Sequence, residues 1–195
     1  GTLVWARSWR GGSASDYVWF WFGRNGGGYD SKAFTATGTF VPLAGDFDND
    51  GYSDIYWYAA GTAADVIWWG SATVDDPGTT FTLGGTNVDG TYQPAVGDFD
   101  GNGASDIFWY GPGSVADVVW FSTGGRNSWT SVSKTVSGTD YKLVAGNFDG
   151  DSKDDVVFYS PSGADSLWWG SSTSGFGTST MCVSIGGRSS AVGMR

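Results

Sequence analysis

The sequence has no Glu and no His, and its one Cys is Cys182. Without His there can be no Ser-His-Asp or Cys-His triad and no His-ligated zinc. A single Cys excludes an internal disulfide framework and any Cys cluster. Cys182 itself reads as a buried strand residue. Helices draw on Glu, Lys, Leu and Ala; with Glu absent and Lys and Leu scarce, a helical bundle is disfavoured. No apolar run approaches the length of a membrane-spanning helix. No signal peptide is visible and the chain opens at Gly1 rather than Met, so a processed or trimmed N-terminus is expected.

All 20 acidic residues are therefore Asp, and the formal net charge is −10, which disfavours a nucleic-acid partner. The hydrophobic and aromatic fractions, 40% and 17%, argue against disorder. Abundant Val, Thr, Trp, Tyr and Phe suit strands, and abundant Asp, Gly, Ser and Asn suit turns. The length fits one domain with a sizeable core.

The chain repeats itself. AGDFDNDGYSDIYWY from Ala44, VGDFDGNGASDIFWY from Val96 and AGNFDGDSKDDVVFY from Ala145 align, with Gly45, Gly97 and Gly146 spaced roughly 50 residues apart. A second element follows each: AADVIWWGS from Ala63, VADVVWFST from Val115 and GADSLWWGS from Gly163, with ASDYVWFWF from Ala14 as a fourth copy. A third element, FTATG, FTLGG, KTVSG or CVSIG, closes each repeat. The repeats run at about 1–44, 45–96, 97–145 and 146–195, within one domain.

Each reads as a Gly-ending strand, an acidic hairpin loop, two aromatic strands and a Thr/Ser strand. Four short antiparallel strands per unit of this length predict an all-β β-propeller of four four-stranded blades. Thr2–Ala6 aligns with the second strand of a repeat and Ser190–Met194 with the first. Pairing of these terminal strands would close the ring and leave no free edge. The alternative is a piece of a larger ring.

The acidic loops point to a metal. Alternate carboxylates in a tight loop converge on one point, and a hard cation of calcium's size takes six to eight oxygens. The first loop offers Asp46, Asp48, Asp50 and Asp54 with the Tyr52 carbonyl, and Gly51 supplies the bend. The second offers Asp98, Asp100, Asn102 and Asp106 with the Ala104 carbonyl. The third offers Asn147, Asp149, Asp151 and Asp155 with the Lys153 carbonyl, but Ser152 stands where the others have Gly. Without a counter-ion these carboxylates would repel one another. About three Ca²⁺ are expected, since mixed carboxylate, amide and carbonyl oxygens in a flexible loop favour calcium over magnesium. An EF-hand is excluded, because no Glu closes the loop and no helix flanks it. The plainer alternative is three Asp-rich turns without metal.

GDFDNDGYSD, GDFDGNGASD and GNFDGDSKDD resemble the calcium loops of FG-GAP repeats, also described as VCBS-type repeats, which build the propellers of integrin α-subunits and of many secreted bacterial proteins. The resemblance implies calcium at the hairpin between the first and second strands of a blade, and a secreted or cell-surface setting. Two departures stand out: such propellers usually have about seven blades, and the first repeat here has no acidic loop.

Among the aromatics, Trp5, Trp57, Trp109 and Phe158 recur on the second strand, and Trp19, Trp68, Trp120 and Trp168 on the third. Recurrence at equivalent positions reads as core between blades. Trp9, Trp21 and Trp129 break the pattern beside turns and are the candidates for stacking on a sugar ring. Asp16, Asp65, Asp117 and Asp165 open the third strands and read as turn caps on local amides. No catalytic constellation emerges, because half of the Asp sit in the loops and acid–base work has neither His nor Glu. The sequence therefore reads as an extracellular calcium-binding module for a glycan or protein ligand, without membrane insertion and with self-association as a way to complete a ring. The alternative is a structural or assembly portion of a larger propeller or polysaccharide-active enzyme.

Overall fold

The computed structural model describes residues 3–6, 16–22, 28–34, 38–70, 82–84, 86–172, 175–177 and 180–181. Among these residues there is no helix, and every strand pairing is antiparallel.

Strands β1 (Leu3–Ala6), β2 (Asp16–Phe22) and β3 (Gly28–Phe34) form a three-stranded sheet. Strands β4 (Val41–Gly45), β5 (Asp54–Tyr58), β6 (Val66–Trp69) and β7 (Thr82–Gly84) form a four-stranded sheet in chain order. So do β8 (Gln93–Gly97), β9 (Asp106–Tyr110), β10 (Asp117–Ser122) and β11 (Trp129–Lys134). In the last four-stranded sheet, β12 (Lys142–Gly146), β13 (Asp155–Tyr159) and β14 (Ser166–Trp168) are followed by β17 (Thr180–Met181). A short ribbon, β15 (Gly170–Ser171) with β16 (Gly175–Phe176), lies between β14 and β17 in the chain.

The second strand of a sheet is the most buried. All five residues of β5 and of β9 are buried. A strand covered on both faces needs apolar residues without alternation, and DIYWY and DIFWY supply them. Burial then thins outward to β11, which has no buried residue, only half-buried and exposed ones. Successive side chains point to opposite faces, so one strand serves two cores. Trp109 of β9 meets Tyr56 and Tyr58 of the preceding sheet at ring-centroid distances of 5.5 and 5.1 Å. Its neighbour Phe108 meets Phe158 of the following sheet at 5.4 Å. The cores thus lie between successive sheets, and β8 touches both β4 and β12.

Three expectations are modified. The described strands make three four-stranded sheets, one three-stranded sheet and a ribbon, not four equal blades, and no closed ring is seen; the expected terminal strand Ser190–Met194 lies outside the described residues, as do Trp9 and Cys182. The outer strand β11 ends at Lys134, so KTVSG marks where that strand stops rather than its body, while Thr35–Thr37 of FTATG lie outside the described residues. The ribbon was not expected. Gly175 takes φ +77° there and a Cβ on it would lie 1.9 Å from Phe121, so Gly lets the ribbon press Phe176 into the core against Phe99 and Phe108, at 5.1 and 5.5 Å.

Candidate metal centre

The three acidic loops begin from one register. Gly45 pairs with Asp54, Gly97 with Asp106 and Gly146 with Asp155, so each loop is the hairpin between the first two strands of a sheet.

The closing Asp is buried in all three loops. Asp54 accepts the Phe47 amide at 2.7 Å and the Gly70 amide at 2.7 Å. Asp106 accepts those of Phe99 and Ser122, both at 2.8 Å. Asp155 accepts those of Phe148 and Gly170 at 2.8 and 2.9 Å. These carboxylates, expected as metal ligands, tie the loop to the start of the turn after the third strand. Burial pushes the Asp54 carboxyl up to about 7 and that of Asp106 up to about 8, against the downward pull of the two amides on each.

The first residue of a loop curls it. Asp46 accepts the amides of Asp50 and Gly51 at 3.1 and 2.9 Å. Asp98 accepts those of Gly101, Asn102 and Gly103 at 2.8, 3.1 and 2.9 Å. The turn needs left-handed backbone at the fourth and sixth loop positions: Asn49 and Gly51 lie at φ 58° and 87°, Gly101 and Gly103 at 78° and 93°. Glycine takes this region without steric cost, and Asn tolerates it. One side chain then caps the next amide but one: Asp50 accepts from Tyr52, Asn102 from Ala104 and Asp151 from Lys153. Tyr52, Ala104 and Lys153, whose carbonyls are the expected backbone ligands, therefore sit at one place in all three turns.

Two loops gather carboxylates. Oxygens of Asp46, Asp48 and Asp50 lie within 4.8 Å of one another, and so do those of Asp98, Asp100 and Asp106. These are the two such groups among the described residues. The partners differ from expectation, since Asp54 joins neither group while Asp106 joins the second. Burial raises the Asp50 and Asp100 carboxyls above their usual range, with the neighbouring carboxylates adding to it. Hard oxygen donors gathered against their mutual repulsion are what a divalent cation such as Ca²⁺ or Mg²⁺ takes.

The first group has a further feature. Asp48 is buried, its side chain only 6% exposed, and its Oδ1 has no hydrogen-bond partner. Its Oδ2 accepts Arg126 Nε at 2.8 Å, and the guanidinium also lies 3.8 Å from Asp50 and 5.7 Å from the centroid of Trp69. Arg126 comes from the β10–β11 turn of the next sheet. The sequence pointed to no such cation at the loop.

The third loop does not gather. Ser152 is outside the left-handed region, and Gly150, at φ 81°, is left-handed alone. Asn147 accepts the Gly150 amide at 2.7 Å but turns its own side-chain amide to the Asp151 carbonyl. Lys153 Nζ bonds Asp151 at 2.7 Å, which holds that carboxyl below its usual range. The chain's own ammonium thus serves the carboxylate that a metal would need.

Asp65, Asp117 and Asp165 each accept the amide that follows the second strand, as expected of turn caps, while the side chain of Asp16 lies outside the described residues. Asp65 accepts the Ala59 and Val88 amides, both at 2.7 Å, and Asp117 those of Gly111 and Val136 at 2.8 and 2.6 Å. Asp165 accepts the Ser160 amide at 2.9 Å. The in-register aromatics Trp57, Trp109 and Phe158 are core. Trp129, expected near a turn with an exposed ring, is half-buried and packs on Phe47 and Trp120 at 5.7 and 5.9 Å. Its ring seals a joint between sheets, because the hairpin register sets it beside Ser122, which itself bonds the Phe47 carbonyl at 2.5 Å. Trp21 is the last residue but one of β2, where the strand runs into the β2–β3 connection.

No protein-family model, curated protein or solved structure matches this chain.

Proposed function

We propose that this protein is a calcium-stabilised recognition module of the propeller type, its sheets being successive blades of FG-GAP-like character, acting outside the cell on a glycan or protein ligand. The observation that carries the metal part is the pair of carboxylate groups, built in one hairpin register, with the buried Asp48 Oδ1 left without a donor. A cation there would supply what that oxygen lacks and neutralise Asp50 and Asp100. Oxygen-only donors on a flexible loop favour Ca²⁺. The third loop is the weakest of the three sites, because Lys153 already neutralises Asp151.

Calorimetric titration with Ca²⁺ and with Mg²⁺ tests this. Two sites with preference for Ca²⁺ are expected; no binding at millimolar calcium rejects the metal reading. A glycan array with calcium and with chelator tests the ligand class, and an empty array leaves a protein ligand. A second reading, assembly into a larger propeller, draws on the exposed apolar side chains Val144, in β12, and Phe148, just beyond it.

A further inference from the structure

Successive sheets meet through one repeated joint. At the first, Leu43 and Phe47 are buried, 8% and 0% exposed. The following sheet covers them: Trp129 packs on Phe47, and Ser105 N donates to the Asp46 carbonyl at 2.7 Å. At the second, Ala95 and Phe99 are equally buried. Phe176 packs on Phe99, Ser171 N donates to the Phe99 carbonyl at 3.0 Å, and Asp154 N to that of Asp98 at 2.7 Å. The strands come so close that a Cβ on Gly45 would lie 2.7 Å from Ser105, and one on Gly97 2.9 Å from Asp154.

The same surface of the third sheet is open. Val144 and Phe148, which match Leu43 and Phe47 by register, are 55% and 50% exposed. A Cβ on Gly146 would meet only Phe148, at 3.6 Å. Among the described residues no backbone donor reaches the carbonyl of Asn147 or Phe148.

The chain carries a matching element. In the β10–β11 hairpin the capping Trp129 pairs with Ser122. In the β2–β3 hairpin Tyr29 pairs with Trp21, and Asp16 pairs with Phe34 as Asp117 pairs with Lys134. An aromatic thus stands at the same hairpin position in the first sheet as the one that seals the Phe47 joint. Val144 and Phe148 stay exposed among the described residues.

We infer that the open face of the β12 sheet, at Val144 and Phe148, docks the β1–β3 sheet of a second copy of this chain, head to tail. Two different surfaces meet, so the contact is heterologous and propagates into a ring when the rotation closes and into an open polymer when it does not. It continues an interface already made twice within the chain, and it does not depend on metal in the loops.

Sedimentation velocity from low to high micromolar concentration tests it. The mass is expected to rise from 20.5 kDa to multiples of it. Phe148→Asp and Val144→Asp, each placed where the single chain is exposed, and Tyr29→Asp in the β2–β3 hairpin, should each hold the mass at the single-chain value. Mixing the Phe148→Asp and Tyr29→Asp chains should restore a dimer, because one intact joint remains between them. A wild-type monomer at every concentration overturns the inference; so does self-association that survives Val144→Asp and Phe148→Asp. If the monomer loses as much stability from Phe148→Asp as from Phe47→Asp, the face is covered within the chain and the inference also fails. Calcium-dependent melting of the same samples reports the metal reading separately.

Discussion

Between Gly45 and Asp54, and again between Gly97 and Asp106, two left-handed residues wind the backbone so that three carboxylates meet. Between Gly146 and Asp155 the hairpin register is the same, but only Gly150 is left-handed. In that loop a Lys is paired with the central Asp. The closing Asp is still bonded to two amides there. The difference separates two jobs that the motif combines. The last Asp holds the hairpin to its sheet, and that job survives in all three loops. The first carboxylates, joined in the second loop by Asp106 itself, make an ion site, and that job fails once the second bend and one acidic residue are lost.

The largest effect should come from the anchoring Asp. Asp106→Ala strips two buried amides of their acceptor, at about 1–3 kcal/mol for each unsatisfied group. A loss of about 3 kcal/mol in urea unfolding is expected. Asp155→Ala should lose less, because Phe148 is half-exposed and its amide can turn to water. Equal losses would break the comparison.

Calcium comes next. At a free concentration of about a hundred Kd, a site filled only in the folded state adds about 2.7 kcal/mol. Asp48→Ala or Asp98→Ala should each remove one site and much of the calcium-dependent rise in Tm. Asp151→Ala should leave calorimetric stoichiometry unchanged. The combined change Asn147→Asp, Ser152→Gly and Lys153→Ala should add a site; no gain would show that the missing bend and charge are not what disables the third loop.

A smaller effect is expected from pH. Asp54 and Asp106 have folded-state carboxyls raised by burial to about 7 and about 8. Their neutral forms are favoured by the fold, so the folded state holds more protons than the unfolded one between the ordinary Asp range and these values. In chelator, Tm should therefore fall as pH rises from about 5 to about 8. A flat or rising profile in that window would mean that the paired amides outweigh desolvation.

The smallest effect concerns Arg126. A half-exposed ion pair contributes about 1 kcal/mol or less, so Arg126→Gln should tighten calcium at the first loop by no more than about fivefold. The second loop should not change. Weaker binding instead would make Arg126 a support for Asp48 rather than a competitor.

Much of this was legible in the residues. GDFDxxGxxD between a Gly-ending strand and an aromatic strand placed the hairpins, and the recurring Asp65, Asp117 and Asp165 were read as turn caps. Ser152 and Lys153 were visible signals that the third loop differs, but their consequence depends on backbone angles and on where an ammonium can reach. Arg126 was not legible, since it lies 78 residues from Asp48 in the chain. Trp129 was misread because its neighbours in sequence are turn residues, whereas its neighbour in space is Phe47.

The sequence by itself determined the first three strands of each four-stranded sheet, their antiparallel order and the loop positions, because these rest on local propensity, on apolar patterning along a strand and on the freedom of Gly. The tertiary structure decided which carboxylates meet, which become anchors and which aromatic seals which joint. Those outcomes depend on distances between sheets far apart in the chain, and burial there sets both the cost of a bare carboxylate and the value of covering a ring.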